Sequence, residues 1–283
     1  MSRDDSGYAA LERLRNAVED IARRAGSVIL EVYGADPGTT KKADDSPLTL
    51  ADLRAHTLIA HALRALTPDL PVLSEEDAGT PWEERSGWSR YWLVDPLDGT
   101  KEFLSRNGEF TVNIALVSDH VPVLGVVYVP VTATLYTGIV GHGAWRTVGA
   151  GLPSSISVRT RATTPLRVVG SRSHGGSSLD AMLAALGPHE LVAIGSSLKL
   201  CRVAEGAADL YPRLGLTSEW DTAAAQAVVV AAGGFVMTLA GVPLTYNSKP
   251  ELLNPHFVVY ADPTRDWLGA LRCGPTRADG IGS

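Results

Sequence analysis

What the chain has little of narrows its chemistry first. Cysteine occurs only twice, at Cys201 and Cys273, so neither a disulfide framework nor a cysteine-rich zinc site can be assembled. Positive charge is in deficit, with 25 Lys+Arg against 31 Asp+Glu and a formal net charge of −6. A surface that follows a nucleic-acid polymer needs a basic stripe, and the balance runs the other way. Apolar runs of membrane length are missing too. Val121 to Val140 is broken by Pro122, Gly125, Pro130 and Gly138, and Thr222 to Ala240 by Gln226 and Gly233-Gly234. Both fall short of the ~20 continuous apolar residues that a spanning helix needs. The opening Met-Ser-Arg-Asp-Asp-Ser-Gly-Tyr has no apolar core of a secretory signal, so the reducing cytoplasm is the expected compartment. There is no Walker lysine loop and no Gly-x-Ser-x-Gly elbow, and Gly141-His142-Gly143 lacks the third glycine of a dinucleotide fingerprint. P-loop chemistry and serine hydrolysis lose support accordingly.

What is present is an ordinary globular composition, 45% apolar and 20% charged over 283 residues, enough for one or two domains. Leu11, Leu14, Val18, Ile21, Ala25, Val28 and Val32 recur at steps of three and four, which predicts a long amphipathic helix over 8–33. Thr49-Leu50-Ala51-Asp52 has the form of a capping box with Asp in the acidic place, and the helix it opens should stop near Pro68. Short apolar runs at 71–73, 91–94, 111–117, 121–129 and 134–140 read as strands. Strands in succession imply an antiparallel or mixed sheet. Beyond residue 165 helices and strands alternate, with strands at 166–169, 191–194, 209–211 and 235–239. Helices are expected at 178–186 and 197–205, and a further one is opened by Asp221. The expected organisation is an α+β half, 1–165, packed against an α/β half, 166–283, as one unit.

The chemistry is concentrated in acids at the ends of these apolar elements. Trp92-Leu93-Val94 runs into Asp95-Pro96-Leu97-Asp98-Gly99-Thr100, two carboxylates three residues apart in a stretch shaped by Pro96 and Gly99. Glu75-Glu76-Asp77 follows the strand at 71–73, and Glu219-Trp220-Asp221 precedes an alanine-rich helix. Taken singly, these are a surface turn, a solvated acidic turn and a helix N-cap. Taken together they repel, and a shared site needs a cation. Oxygen ligands without His or Cys suit Mg²⁺, and a multi-carboxylate site suits phosphoryl transfer to water. The backbone N–H groups and hydroxyl at Gly99-Thr100 could meet a phosphate at a helix start.

These segments resemble the magnesium-dependent, lithium-sensitive phosphomonoesterase superfamily that includes inositol monophosphatase. The resemblance is carried by Ser46-Pro47-Leu48-Thr49-x-Ala51-Asp52, Leu73-Ser74-Glu75-Glu76-Asp77, Asp95-Pro96-Leu97-Asp98-Gly99-Thr100 and Trp220-Asp221-Thr222-Ala223-Ala224. It extends from about Leu11 to Tyr260, with no departure in these motifs. Asp98-Gly99-Thr100-Lys101-Glu102-Phe103, the stretch from Asn107 to Ala115, and Ser171-Arg172-Ser173-His174 make it most similar to the bacterial 3'(2'),5'-bisphosphate nucleotidases. Gly195-Ser196-Ser197-Leu198-Lys199 and Tyr211-Pro212-Arg213 extend that match.

The resemblance implies a layered αβαβα fold. Glu75, Asp95 and the Leu97 carbonyl would hold a first Mg²⁺, and Asp95, Asp98 and Asp221 a second, with Glu75 helping a weaker third. Asp52 would pair with Thr100 to polarise the attacking water. Leu97, Asp98, Gly99, Thr100 and Asp221 would face the substrate, and His174, Ser196, Lys199 and Arg213 would take the second phosphate of a bisphosphate nucleotide. The implied reaction is hydrolysis of 3'-phosphoadenosine 5'-phosphate, and of the corresponding phosphosulfate, to AMP or its sulfate and phosphate. The remaining alternatives are an inositol or sugar monophosphatase and a non-catalytic nucleotide sensor. By itself, Lys199 on a helix with Leu198, Cys201 and Val203 would face solvent, and Cys201 would be a small core residue. A monomer or homodimer without a nucleic-acid partner is expected, with a peripheral association with the inner membrane left open.

Overall fold

The three-and-four spacing of apolar residues produces α1 (Asp5–Tyr33), whose Val18, Ile21, Ala25, Ile29 and Val32 are buried. The structure is a computed structural model and describes residues 5–35, 40–41, 47–171 and 183–272. A two-residue antiparallel pair, β1 (Thr40–Lys41) and β2 (Pro47–Leu48), precedes α2 (Leu50–Leu66). The capping box forms: Thr49 is the N-cap, and its backbone N–H donates to Asp52 Oδ2 at 2.8 Å.

A seven-stranded sheet runs in the order β3-β4-β5-β6-β7-β8-β9. Its strands are β3 (Val72–Ser74), β4 (Arg90–Asp98), β5 (Thr111–Ser118), β6 (Val121–Val129), β7 (Thr134–Ile139), β8 (Gly143–Val148) and β9 (Ser154–Ile156). The short helices α3 (Trp82–Arg85) and α4 (Thr100–Leu104) flank β4 in sequence. Only β3–β4 is parallel; the remaining pairs are antiparallel, as expected from β5 onward, where consecutive strands are joined without helices. Alternation along β5 sends Val112, Ile114 and Leu116 to the α1–α2 side, and Ala115 and Val117 to the other, so both faces are covered.

The second sheet has the order β11-β10-β12-β14-β13. It is built from β10 (Leu166–Gly170), β11 (His189–Ala193), β12 (Leu210–Arg213), β13 (Phe235–Thr238) and β14 (Phe257–Tyr260). Between the sheets lie α5 (Leu198–Ala204) and α6 (Glu219–Ala231), and α7 (Trp267–Arg272) packs through Trp267 on the far face. The layers therefore read αβαβα. The sequence pattern missed β8, β9, β14 and α7. β14 runs antiparallel to both neighbours, so the second sheet is mixed. Most of the helix expected at 178–186 lies outside the described residues.

The seat of α6 depends on glycine. Gly125 on β6 pairs with Gly138 on β7. A Cβ at Gly125 would stand 2.0 Å from the Ala224 carbonyl oxygen, and one at Gly138 would stand 2.6 Å from Val228 Cα. Two adjacent strands thus offer bare backbone to the helix, which lies directly on them.

Candidate active site

The strand expected at 91–94 continues to Asp98, so the acidic motif belongs to the sheet itself. In a regular strand, residues three apart face opposite sides. Here Asp95 pairs with Asn113 and Asp98 with Thr111, three steps on β4 against two on β5. This bulge turns both carboxylates to one side. Pro96 fits it because it has no N–H to contribute to the ladder, and Leu97, without a cross-strand partner, keeps its carbonyl out of the ladder.

The other acids arrive from neighbouring elements. Glu75 follows β3, and its N–H donates to the Val94 carbonyl at 3.1 Å, which holds it beside β4. Asp52 and Asp221 sit in the first turns of α2 and α6. Asp221 is not the N-cap that its sequence position suggested; Ser218 is, and Asp221 occupies the third helical position of a second capping box.

Backbone and amide donors orient these acids. Leu97 N–H donates to Asp95 Oδ1 at 3.0 Å, and Ser218 N–H to Asp221 Oδ2 at 2.9 Å. Asp98 Oδ2 accepts from Ser197 N–H at 2.5 Å and from the Asn113 amide at 3.3 Å. Asp52 Oδ2 accepts from Thr49 N–H and its hydroxyl, while Asp52 Oδ1 stands 3.5 Å from Thr100 Oγ1. That last contact is long, as catalytic contacts often are without ligand.

The electrostatics tie the acids into one cluster. Burial, then Glu75, Asp98 and Asp221, push Asp95 well above the usual carboxylate range, and Asp95 shares a hydrogen bond with Glu75. Burial, then Asp98 and Glu75, raise Asp221 in the same way. Asp98 rises to about 6 through burial, with Lys199 and the Ser197 N–H opposing. Among the described residues no three His, Cys, Asp or Glu stand in a ready-made metal-ligating group. The chemistry of the cluster nevertheless fits a cation. Buried carboxylates that raise one another's affinity for protons will also gain from a dication, and an all-oxygen set suits a hard one.

Asp98 and Asp221 open onto a cavity that Lys199 and Arg213 also line. Neither cation faces solvent: Lys199 is 6% exposed and Arg213 8%. Lys199 Nζ donates to the carbonyls of Ser196 at 2.6 Å and Ile194 at 3.3 Å, and lies 5.5 Å from the centre of the Tyr211 ring. Burial pulls its ammonium down to about 8 against the pull of Asp98. Arg213 Nη2 donates to the Leu216 carbonyl at 2.6 Å. Ser196 lines the same cavity at φ 49. Gly99, at φ 92, caps α4 with Thr100 as its first residue. His174 lies outside the described residues. Cys201 is buried and unpaired, as expected of a core residue.

Sequence reading passed over the network behind Asp98. Ser197 Oγ donates to Asn113 Oδ1 at 2.8 Å and is 2.9 Å from Thr111 Oγ1, so α5 is bolted to β5. An asparagine inside the apolar run Thr111-Val112-Asn113-Ile114 was the available signal, because a buried amide needs partners.

Comparisons with known proteins place the whole chain rather than single residues. The model of the inositol monophosphatase family matches residues 10–264, and the chain belongs to that family. More particularly, it is 54% identical over 241 residues to the 3'(2'),5'-bisphosphate nucleotidase CysQ of Escherichia coli K12, covering 84% of this chain and 96% of that protein. It is 55% identical to the CysQ of Salmonella typhimurium over the same shares. The crystal structure of CysQ from Bacteroides thetaiotaomicron superposes with a TM-score of 0.77 at 44% identity, covering 87% of this chain and 97% of that one. An inositol monophosphatase from Anabaena, at 24% identity and a TM-score of 0.73, shares the fold. Among the described residues no helix is long and apolar enough to cross a membrane.

Proposed function

We propose that this chain is a divalent-metal-dependent phosphomonoesterase that hydrolyses 3'-phosphoadenosine 5'-phosphate to AMP and phosphate, and accepts the corresponding phosphosulfate. The observation that carries the reading is the pairing, across one cavity, of a coupled acid cluster with two buried cations. A monophosphate of a neutral polyol needs only the acid end, whereas a second phosphate gives Lys199 and Arg213 something to bind. The 54% identity to CysQ nucleotidases supports the same choice.

In this reading Glu75, Asp95, the Leu97 carbonyl, Asp98 and Asp221 would hold two or three Mg²⁺ ions, Asp95 contributing to two of them. When bound, such ions neutralise phosphate charge and make a coordinated water acidic. The remaining work belongs to the chain. Thr100 Oγ1 donates to Asp52 Oδ1, which leaves its lone pairs turned to the attacking water. Thr49 holds the other oxygen of Asp52 with two hydrogen bonds, from its N–H and its hydroxyl. Gly99 keeps the wall beside the scissile phosphate free of a side chain, and Ser196, Lys199, Arg213 and His174 grip the second phosphate. The reaction takes place in the cytoplasm, where a buried thiol such as Cys201 stays reduced.

Phosphate release decides the matter. With Mg²⁺, the bisphosphate nucleotide should be turned over at least about tenfold more efficiently than inositol 1-phosphate, a difference of ~1.4 kcal/mol. Equal or better turnover of the inositol phosphate would replace the nucleotidase reading with a sugar-phosphatase one. Nucleotide binding without phosphate release would leave a sensor.

A further inference from the structure

Two residues before Asp221, on the same first turn of α6, lies a carboxylate that the proposed chemistry does not use. Glu219 is 1% exposed, and its Oε2 accepts the backbone N–H of Asn247 at 2.7 Å. Its Oε1 has no hydrogen-bond partner among the described residues. A buried carboxylate satisfied at one oxygen costs stability, so its gain must lie in what it holds.

What it holds is a loop. Asn247 sits at φ 50, and its side chain is locked to Arg85 in both directions: Arg85 Nη1 donates to Asn247 Oδ1 at 2.6 Å, and Asn247 Nδ2 to the Arg85 carbonyl at 2.5 Å. Arg85 is itself buried, 4.9 Å from the Trp82 ring centre, and donates to the carbonyls of Lys249 and Pro250. The chain following Asn247 then grips the turn that carries Asp221. Leu252 O accepts the Glu219 N–H at 2.8 Å. Asn254 N–H donates to Thr217 O at 2.8 Å, and its Nδ2 to Ser218 O at 2.8 Å and Thr222 Oγ1 at 2.9 Å. Residues 217–222 are thus held on both sides of Asp221 by a segment that is itself latched at Asn247.

We infer that Glu219 is a positioning residue: through Asn247 and Arg85 it latches the 246–254 loop onto the first turn of α6, and so sets the direction in which Asp221 presents its carboxylate. The inference rests on Asp221 being a metal ligand. Ligand-orienting partners of this kind typically change metal affinity 10–100-fold when removed.

The test titrates Mn²⁺ into the full chain, following the free-ion EPR signal, together with hydrogen exchange at the amides of residues 217–222. Glu219→Ala should weaken Mn²⁺ binding about tenfold and speed exchange at Glu219 and Asp221. Glu219→Gln still accepts the Asn247 N–H and should hold Mn²⁺ within about threefold of the parent. A Glu219→Gln as weak as Glu219→Ala would replace the latch with a plain charge effect and overturn it. Asp221→Asn is the reference. If it leaves Mn²⁺ binding unchanged, the assignment of Asp221 falls. If it weakens binding while folded Glu219→Ala does not, the positioning role alone falls. Asn247→Ala, which keeps Glu219 and removes the grip on Arg85, serves if Glu219→Ala does not fold; unchanged Mn²⁺ affinity and exchange in it would also count against the latch.

Discussion

The two ends of the cavity carry opposite charges and are built by the same device. At the acid end, N–H donors fix one oxygen of Asp95, Asp98 and Asp221. At the basic end, carbonyls fix Lys199 and Arg213. The two sets of charge nevertheless feel each other, Lys199 acting on Asp98 and Arg213 on Asp221. Charges aimed by backbone dipoles keep their direction when a ligand arrives, so little reorganisation accompanies binding. The ends differ in what they demand. The acids raise one another's protonation and call for a cation, while the two cations call for an anion.

The largest test removes the centre of the acid end. Asp95→Asn should lower kcat/KM by at least about 10³-fold, because an amide cannot be shared by two dications. It should also raise the melting temperature of the metal-free protein by roughly 2–4 °C, since a repelling buried charge is gone. Calorimetry with and without Mg²⁺ reads both effects, and a metal-free protein melting lower than the parent would deny that the acids repel. At the basic end, Lys199→Met keeps the apolar stem and removes the charge. KM for the bisphosphate should rise ~10–100-fold and KM for a monophosphate hardly at all. Equal changes for both substrates would detach Lys199 from the second phosphate.

A pH profile sharpens the contrast further. Burial lowers the Lys199 ammonium to about 8, so its charge is lost as pH rises through that value. The kcat/KM for the bisphosphate should fall above about pH 8, while the monophosphate profile lacks that limb and Lys199→Arg moves it to higher pH. A limb common to both substrates would trace it to the metal end. The smallest effect belongs to the bolt behind Asp98. Ser197→Ala keeps the backbone N–H that holds Asp98 and should cost about 1–2 kcal/mol of stability, measured by urea unfolding, with kcat within about threefold.

Much of the site was legible because its acids stand at the ends of apolar elements, where periodicity breaks into Asp, Glu, Pro and Gly. Asp95, Asp98, Glu75 and Asp221 could be named from such breaks, Asp52 only through the family resemblance, and β3 to β7 of the first sheet followed from their run of short apolar segments. What could not be read depends on contacts between distant segments. Lys199 looks solvent-facing until Tyr211 and the Ser196 carbonyl close over it. The anchor of Glu219 involves Arg85 and Asn247, 162 residues apart. The bulge that turns Asp95 and Asp98 to one side is a property of the pairing with β5, which no local pattern records.

The bare glycine pair under α6 has a consequence for how such a protein can vary. A helix resting on backbone has no cushion, so the height of its axis above the strands is set by atoms that cannot be made smaller. One methyl group at position 125 would lift the whole rod, and Asp221, at its leading tip, would retreat from Asp98 without any acid having been touched. The floor of the molecule is in this sense a ruler for its mouth.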